Sequence, residues 1–245
     1  MGAPERWQPL PPKKMSGLIG SAVTETITKA KTIPVLPEDF EALLDNLEAD
    51  EKLELRLAVG LVGLYGLRPS ELAVMRLDDD GKLYIGGQVK RDAKAIEQGT
   101  EKPERLVKPL DLNGREGLGK RMAMLWNNGR GVRKLPLAIR NEIAKVEEKN
   151  TFKEVGAAFS QLLARYRYWK ILVKKTPGLK PYGLRHGWAW RAHKNSEKQL
   201  HYSQASALLG HTTRVHLDYY SSWVSEDELE KAVEEYNLNL KGVAS

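Results

Sequence analysis

Two arginines, a histidine and a pair of adjacent tyrosines draw attention because of the segments that carry them. Arg68 lies in YGLRPSEL, Arg185 in PYGLRHGWAWRAH, and His211 with Tyr219 and Tyr220 in LLGHTTRVHLDYYSSW. A guanidinium stays charged at any working pH and presents a planar fork of donors that fits the oxygens of a phosphate or carboxylate. A phenol titrates at about 10, so it becomes a nucleophile only when a neighbour takes its proton. A fourth segment, KRDAKAIEQGTEKP, follows Val89 and offers Lys90 and Lys94, either of which can deliver a proton to a leaving group.

Taken singly, each of these residues has an ordinary structural explanation. Arg68 and Glu71 are spaced i,i+3, which suits an ion pair on a helix, with Glu71 orienting Arg68. Arg185 is close to Trp188 and Trp190 and could be stacked on them, and His186 reads as a satisfied buried histidine. The tyrosine pair suits two core aromatics at a helix end, and the lysines suit a solvated turn. His211 and His216 have no carboxylate or cysteine in a supporting pattern, so no zinc site is expected. IGGQ has neither the spacing nor the following helix of a phosphate loop.

The elements that must position these groups are mostly helical. Pro37 and the acidic residues after it predict a helix start, and Phe40, Leu43, Leu44 and Leu47 repeat on one face. EKLELRLAVGLVGLYG predicts a second helix, apolar almost all round from Leu57 and therefore buried, ending at Gly66. RPSELAVMRL then predicts a short helix. KLYIGGQVK alternates like a strand and ERLVKPLDL looks like its antiparallel partner, which makes the lysine segment a long charged hairpin tip. Helical pattern returns from 113 to 174, most clearly in TFKEVGAAFSQLLARYRYWKILVKK. Further helices are expected from about Tyr182, through SQASALLG, and at SEDELEKAVEEYN. The fold class is thus mainly α with a small antiparallel β-sheet. The domain reading is an arm or linker over 1–34, a catalytic domain over 35–224, and a C-terminal helix and tail over 225–245.

Composition narrows the classes of function. The chain has 245 residues with 39 Lys+Arg against 32 Asp+Glu, a formal charge of +7. A basic domain of this kind attracts phosphate polyanions. There is no cysteine, which rules out disulfides, thiolate catalysis and cysteine-bound zinc and fits a reducing cytoplasm. No apolar run approaches the roughly 18 residues of a membrane span, and MGAPERWQPLPPKK lacks the apolar core of a secretory signal.

In order and spacing, the four segments resemble the tyrosine recombinase (phage integrase) family. Gly66-Leu67-Arg68-Pro69-Ser70-Glu71-Leu72 fits that family's G-L-R-x-x-E-L, Leu184-Arg185-His186 fits L-R-H, and Leu209-Gly210-His211 fits L-G-H. Tyr220 stands nine residues after His211, the family's spacing for its tyrosine, which selects it over Tyr219. PYGLRHGWAWR and HTTRVHLDYY also resemble cyanobacterial and cyanophage integrase-like sequences.

The resemblance implies the fold of DNA breaking–rejoining enzymes and site-specific recombination through a 3′-phosphotyrosine. Arg68 and Arg185 would clamp the phosphate, His211 would add a donor, Tyr220 would attack, and Lys90 (or Lys94) would protonate the departing 5′ oxygen. Tyr182 occupies the place of the family's usual histidine, three residues before the second arginine. No cofactor or metal is expected. The implied partners are double-stranded DNA and a homo-tetramer assembled on it, with residues 225–240 packing on a neighbouring protomer. The 34 leading residues are too few for the family's helical core-binding domain, so the expectation is an excised catalytic domain. Two other readings remain open: nicking and resealing without strand exchange, and a catalytically inactive DNA-binding relative.

Overall fold

The computed structural model describes residues 32–89, 103–128, 131–149, 151–194 and 199–223, together with Glu230 and Val233. Lys90, Lys94 and nearly all of SEDELEKAVEEYN lie outside the described residues. From Ile33 onward the chain forms one unit.

Pro37 opens helix α1 (Pro37–Ala49) where its missing N–H costs nothing, with Glu38 and Asp39 against the positive end of the helix. The stripe of Phe40, Leu43, Leu44 and Leu47 is buried against α2 (Leu53–Tyr65). Helix α2 is buried on all sides from Leu57 to Tyr65 and forms the centre of the main core. Glycines let its neighbours come close: a side chain at Gly60 would strike Met122, and one at Gly63 would strike Phe40. The helix ends at Gly66, whose φ of 65° suits glycine and reverses the chain.

After a 3₁₀ turn at Pro69–Ala73 come strands β1 (Met75–Leu77), β2 (Leu83–Ile85) and β3 (Arg105–Val107). They form one antiparallel sheet in the order β1-β2-β3, pairing Met75 with Ile85 and Ile85 with Arg105. Met75, Leu83, Ile85 and Val107 are buried. The register puts Arg105 on that same inner face, in the edge strand β3, so its charge needs an internal partner.

The remaining helices are α3 (Leu118–Asn128), α4 (Leu137–Ala144), α5 (Val146–Lys149), α6 (Lys153–Arg165), α7 (Arg167–Lys175), α8 (Gly183–Lys194), α9 (Tyr202–Leu209) and α10 (Thr213–Tyr220). Helix α8 packs on α2, and α9 packs on both α10 and β3. Trp188, Ala189, Ala192, Ala205, Leu209 and Tyr220 make a second small core shared by the last three helices.

The class is the one expected, mainly α with a small antiparallel sheet, but several elements differ. RPSELAVMRL is helical only to Ala73, and Met75–Leu77 pairs as an edge strand, giving three strands rather than two. The long pattern of TFKEVGAAFSQLLARYRYWKILVKK breaks at Tyr166, whose ψ is 133°. Its hydroxyl donates to Asp50 at the end of α1, and Arg167 binds the same carboxylate. Helix α10, capped by the Thr212 hydroxyl accepting from Val215 N–H, carries the segment that was expected only as a motif ending in two tyrosines.

Candidate active site

The base of the site is a group of arginines around one carboxylate. Pro69 restricts the residue before it to extended backbone, so Arg68 (φ −70°, ψ 138°) turns away from the end of α2. Glu71 then accepts from the Arg68 backbone N–H at 2.8 Å and from its Nη1 at 2.7 Å. Arg105 donates to both oxygens of Glu71, each at 2.8 Å. Arg185 lies 4.0 Å from the same carboxylate. Burial alone would raise the Glu71 carboxyl, but the Arg105 hydrogen bonds and the charges of Arg105, Arg185 and Arg68 outweigh it and hold the group at about 2.

The same three guanidiniums are also held by the last turn of α9. Leu208 C=O accepts from Arg105 Nε at 3.1 Å, Leu209 C=O from Arg185 Nη2, and Gly210 C=O from Arg68 Nη2 at 3.3 Å. The final carbonyls of a helix have no partner within it and carry its negative end, so they suit cations. Gly66 C=O, at the end of α2, accepts from Arg185 Nη1 at 2.6 Å. Three positive charges around one negative leave an excess of two among these four side chains.

Above this group lies a cavity of about 330 Å³ lined by Arg68, Tyr182, Arg185, His186, His211 and Tyr220, with Val215 and Tyr219. Tyr220 is 3% exposed, whereas Tyr219 is 47% exposed and Tyr182 40% exposed, both at the rim. The Tyr220 hydroxyl is 3.0 Å from His186 Nδ1. Burial pushes the Tyr220 phenol well above its usual value, against the opposing pull of Arg185. Burial, and then the charge of Arg185, pushes the His186 ring down to about 4, so it is neutral at neutral pH.

His211 faces the cavity and begins a chain of histidines leading inward. Its Nε2 is 2.9 Å from His216 Nδ1, and His216 Nε2 is 2.8 Å from His193 Nε2. His216 is fully buried and pushed down to about 4, chiefly by burial and then by His193 and Arg185. His193 is lowered as well, mainly by burial, and bonds the Leu200 backbone. With one His193 proton given to Leu200, neutral rings leave His193 Nε2 to accept from His216, and His216 Nδ1 to accept from His211.

The structure thus brings Arg68, Tyr182, Arg185, His211 and Tyr220 around one cavity, from three segments of the chain. Lys90 and Lys94 are outside the described residues. Arg105, His186, His193 and His216 also belong to the arrangement and were missed. Arg105 follows the hairpin tip with no motif around it, whereas His186 was considered, as a satisfied buried histidine, and its place beside Arg185 was the signal for a role in the site. Among the described residues, no group of three or more His, Asp or Glu could hold a metal ion, and no helix is long and apolar enough to cross a membrane.

The chain matches no protein-family model and no curated protein. Among solved structures it is similar to a protelomerase TelA variant covalently complexed with substrate DNA, with 20% sequence identity, a TM-score of 0.43 and 83% of this chain covered. The chain spans 63% of the length of that protein.

Proposed function

We propose that the chain cleaves and rejoins duplex DNA through a 3′-phosphotyrosine on Tyr220, in the manner of a tyrosine site-specific recombinase. One observation carries the reading: Arg68, Arg185, His211 and Tyr220, distant in sequence, line one cavity over a base with excess positive charge.

A phosphodiester resists attack because its non-bridging oxygens are already negative and gain charge in the transition state. Arg68 and Arg185 hold those oxygens, and the excess of two positive charges suits the doubly negative phosphorane. His211, whose Nε2 proton is given to His216, adds a donor at Nδ1 when its ring is protonated, and Tyr182 offers a hydroxyl where the resembled family has an imidazole. Tyr220 attacks phosphorus, and Lys90 or Lys94 protonates the departing 5′ oxygen. The bond energy is kept in the phosphotyrosine, so a 5′ hydroxyl from a second strand reseals the break without a nucleotide cofactor. Integration or excision by this route calls for four protomers on two duplexes.

The test is a nicked suicide substrate carrying the candidate site, scored for SDS-resistant adduct. Tyr220→Phe abolishes the adduct while leaving DNA binding near wild type, and Tyr219→Phe retains it. Adduct persisting in Tyr220→Phe would refute the assignment. Recombinants from a two-site plasmid distinguish strand exchange from nicking and resealing.

A further inference from the structure

The cleavage reading needs a group to take the phenolic proton of Tyr220. Lys90 and Lys94 are assigned to the leaving group, and Tyr182 replaces the imidazole that the resembled family carries there. A neutral phenol is a poor base at neutral pH.

The surroundings of the Tyr220 hydroxyl narrow the choice. Besides Tyr220 itself, six titratable or charged side chains line the cavity: Arg68, Tyr182, Arg185, His186, His211 and Tyr219. The two arginines are donors only. His211 turns its Nε2 to His216, and its ring centroid is 6.5 Å from that of Tyr220. Tyr182 and Tyr219 are phenols at the rim. Among the described residues the Tyr220 hydroxyl has one hydrogen-bond partner, His186 Nδ1 at 3.0 Å. In the tautomer of the neutral ring that leaves Nδ1 unprotonated, the phenol donates to His186, and the pair is set for the proton to pass between them.

We infer that His186 is the proton acceptor for Tyr220 in cleavage and its proton donor in rejoining, a catalytic role that rests on the cleavage reading above. As the bond from Tyr220 Oη to phosphorus forms, the phenolic proton passes to His186 Nδ1 and gives an imidazolium. The bond from phosphorus to the 5′ oxygen breaks, and that oxygen takes a proton from the lysine. In rejoining, the incoming 5′ hydroxyl returns its proton to the lysine, and departing Tyr220 recovers its own from His186. No external acid or base is consumed.

The neutral ring is the competent acceptor, and burial keeps it neutral before DNA binds. A phosphate seated between Arg68 and Arg185 offsets the positive field of Arg185 and makes the ring more basic when it is needed. Helix α8 fixes the geometry, since His186 follows Arg185 on its first turn and Arg185 is tied to the ends of α2 and α9.

Single-turnover adduct formation is measured on the suicide substrate with wild type, His186→Asn and His186→Ala. His186→Asn keeps an oxygen able to accept from Tyr220 but cannot hold its proton. Both variants are expected to cleave at least about 100-fold slower, within the usual range for general base catalysis, with DNA binding unchanged. Added imidazole restores His186→Ala, and the restored rate follows the basicity of substituted imidazoles. A structural role alone would not produce that dependence. Cleavage by His186→Asn within about threefold of wild type would overturn the inference, as would a loss in His186→Ala that imidazole never restores. Wild type yielding no adduct on its cognate site would instead overturn the cleavage reading itself.

Discussion

Replacing Glu71 by Gln keeps its volume and removes the one negative charge facing Arg68, Arg105 and Arg185. The Glu71 side chain is 2% exposed, while Arg68 and Arg105 are 16% and 18% exposed. Breaking a buried ion pair from one side costs about 3–5 kcal/mol, and the partial exposure of two partners favours the lower end. The titration of Glu71 gives an independent figure. A carboxyl held at about 2 instead of 4.5 corresponds to roughly 3 kcal/mol of pH-dependent stability. Because the folded value is depressed, this contribution is complete above pH 4.5 and disappears as the pH falls through 2. His186 and His216, lowered from 6.5 to about 4, also cost stability on acidification, but between pH 6.5 and 4 and in both proteins. Urea unfolding of wild type and Glu71→Gln across pH 7 to 2 should therefore show a gap of about 3 kcal/mol that closes between pH 4.5 and 2. A gap under about 0.5 kcal/mol at pH 7, or one unchanged at pH 2, would refute the view of Glu71 as the charged hub of the site.

Two further substitutions test the frame around that hub. Gly66→Ala forces a left-handed backbone on alanine and sets its Cβ 2.8 Å from Leu209 Cδ2 and Trp188 Cγ. It should cost about 2–4 kcal/mol in urea unfolding and slow cleavage further by shifting the carbonyl that holds Arg185; a loss below about 1 kcal/mol would contradict this. His216→Phe removes a ring that must be charged in acid while folded and buried. Its stability should fall less than that of wild type between pH 6.5 and 4, and equal acid loss over that window would show that His216 is not held neutral.

Most of what was legible in the sequence was local. Pro37 with its acidic neighbours and the stripe from Phe40 to Leu47 specify α1 through interactions within one helix and one face. Gly66 marks the end of α2 for a reason carried by its own backbone. The misread parts depend on distant partners. Met75–Leu77 is too short to show a period of 2, and its strand character comes from Leu83–Ile85. The break at Tyr166 depends on Asp50, 116 residues away.

The site divides along similar lines. The three segments that carry Arg68, Arg185, and His211 with Tyr220 could be recognised from their order. Arg105 could not, because its place is set by the two oxygens of Glu71 and by a carbonyl on α9. His186 was read as a satisfied buried histidine. It is partly buried and satisfied, but its partner is the Tyr220 hydroxyl, which only the packing of α8 against α10 brings within reach.

The last turn of α9 receives one guanidinium at each of three successive carbonyls, 208, 209 and 210. Fraying of that single turn would take one acceptor from each of the three arginines at once and leave them to Glu71 and the Gly66 carbonyl, so their alignment is coupled to local folding of that turn. A bound phosphate, by engaging Arg68 and Arg185, would in turn hold the turn closed. Amide hydrogen exchange at residues 208–210 should therefore slow on DNA binding, reporting the readiness of the site from a turn whose own side chains perform no chemistry.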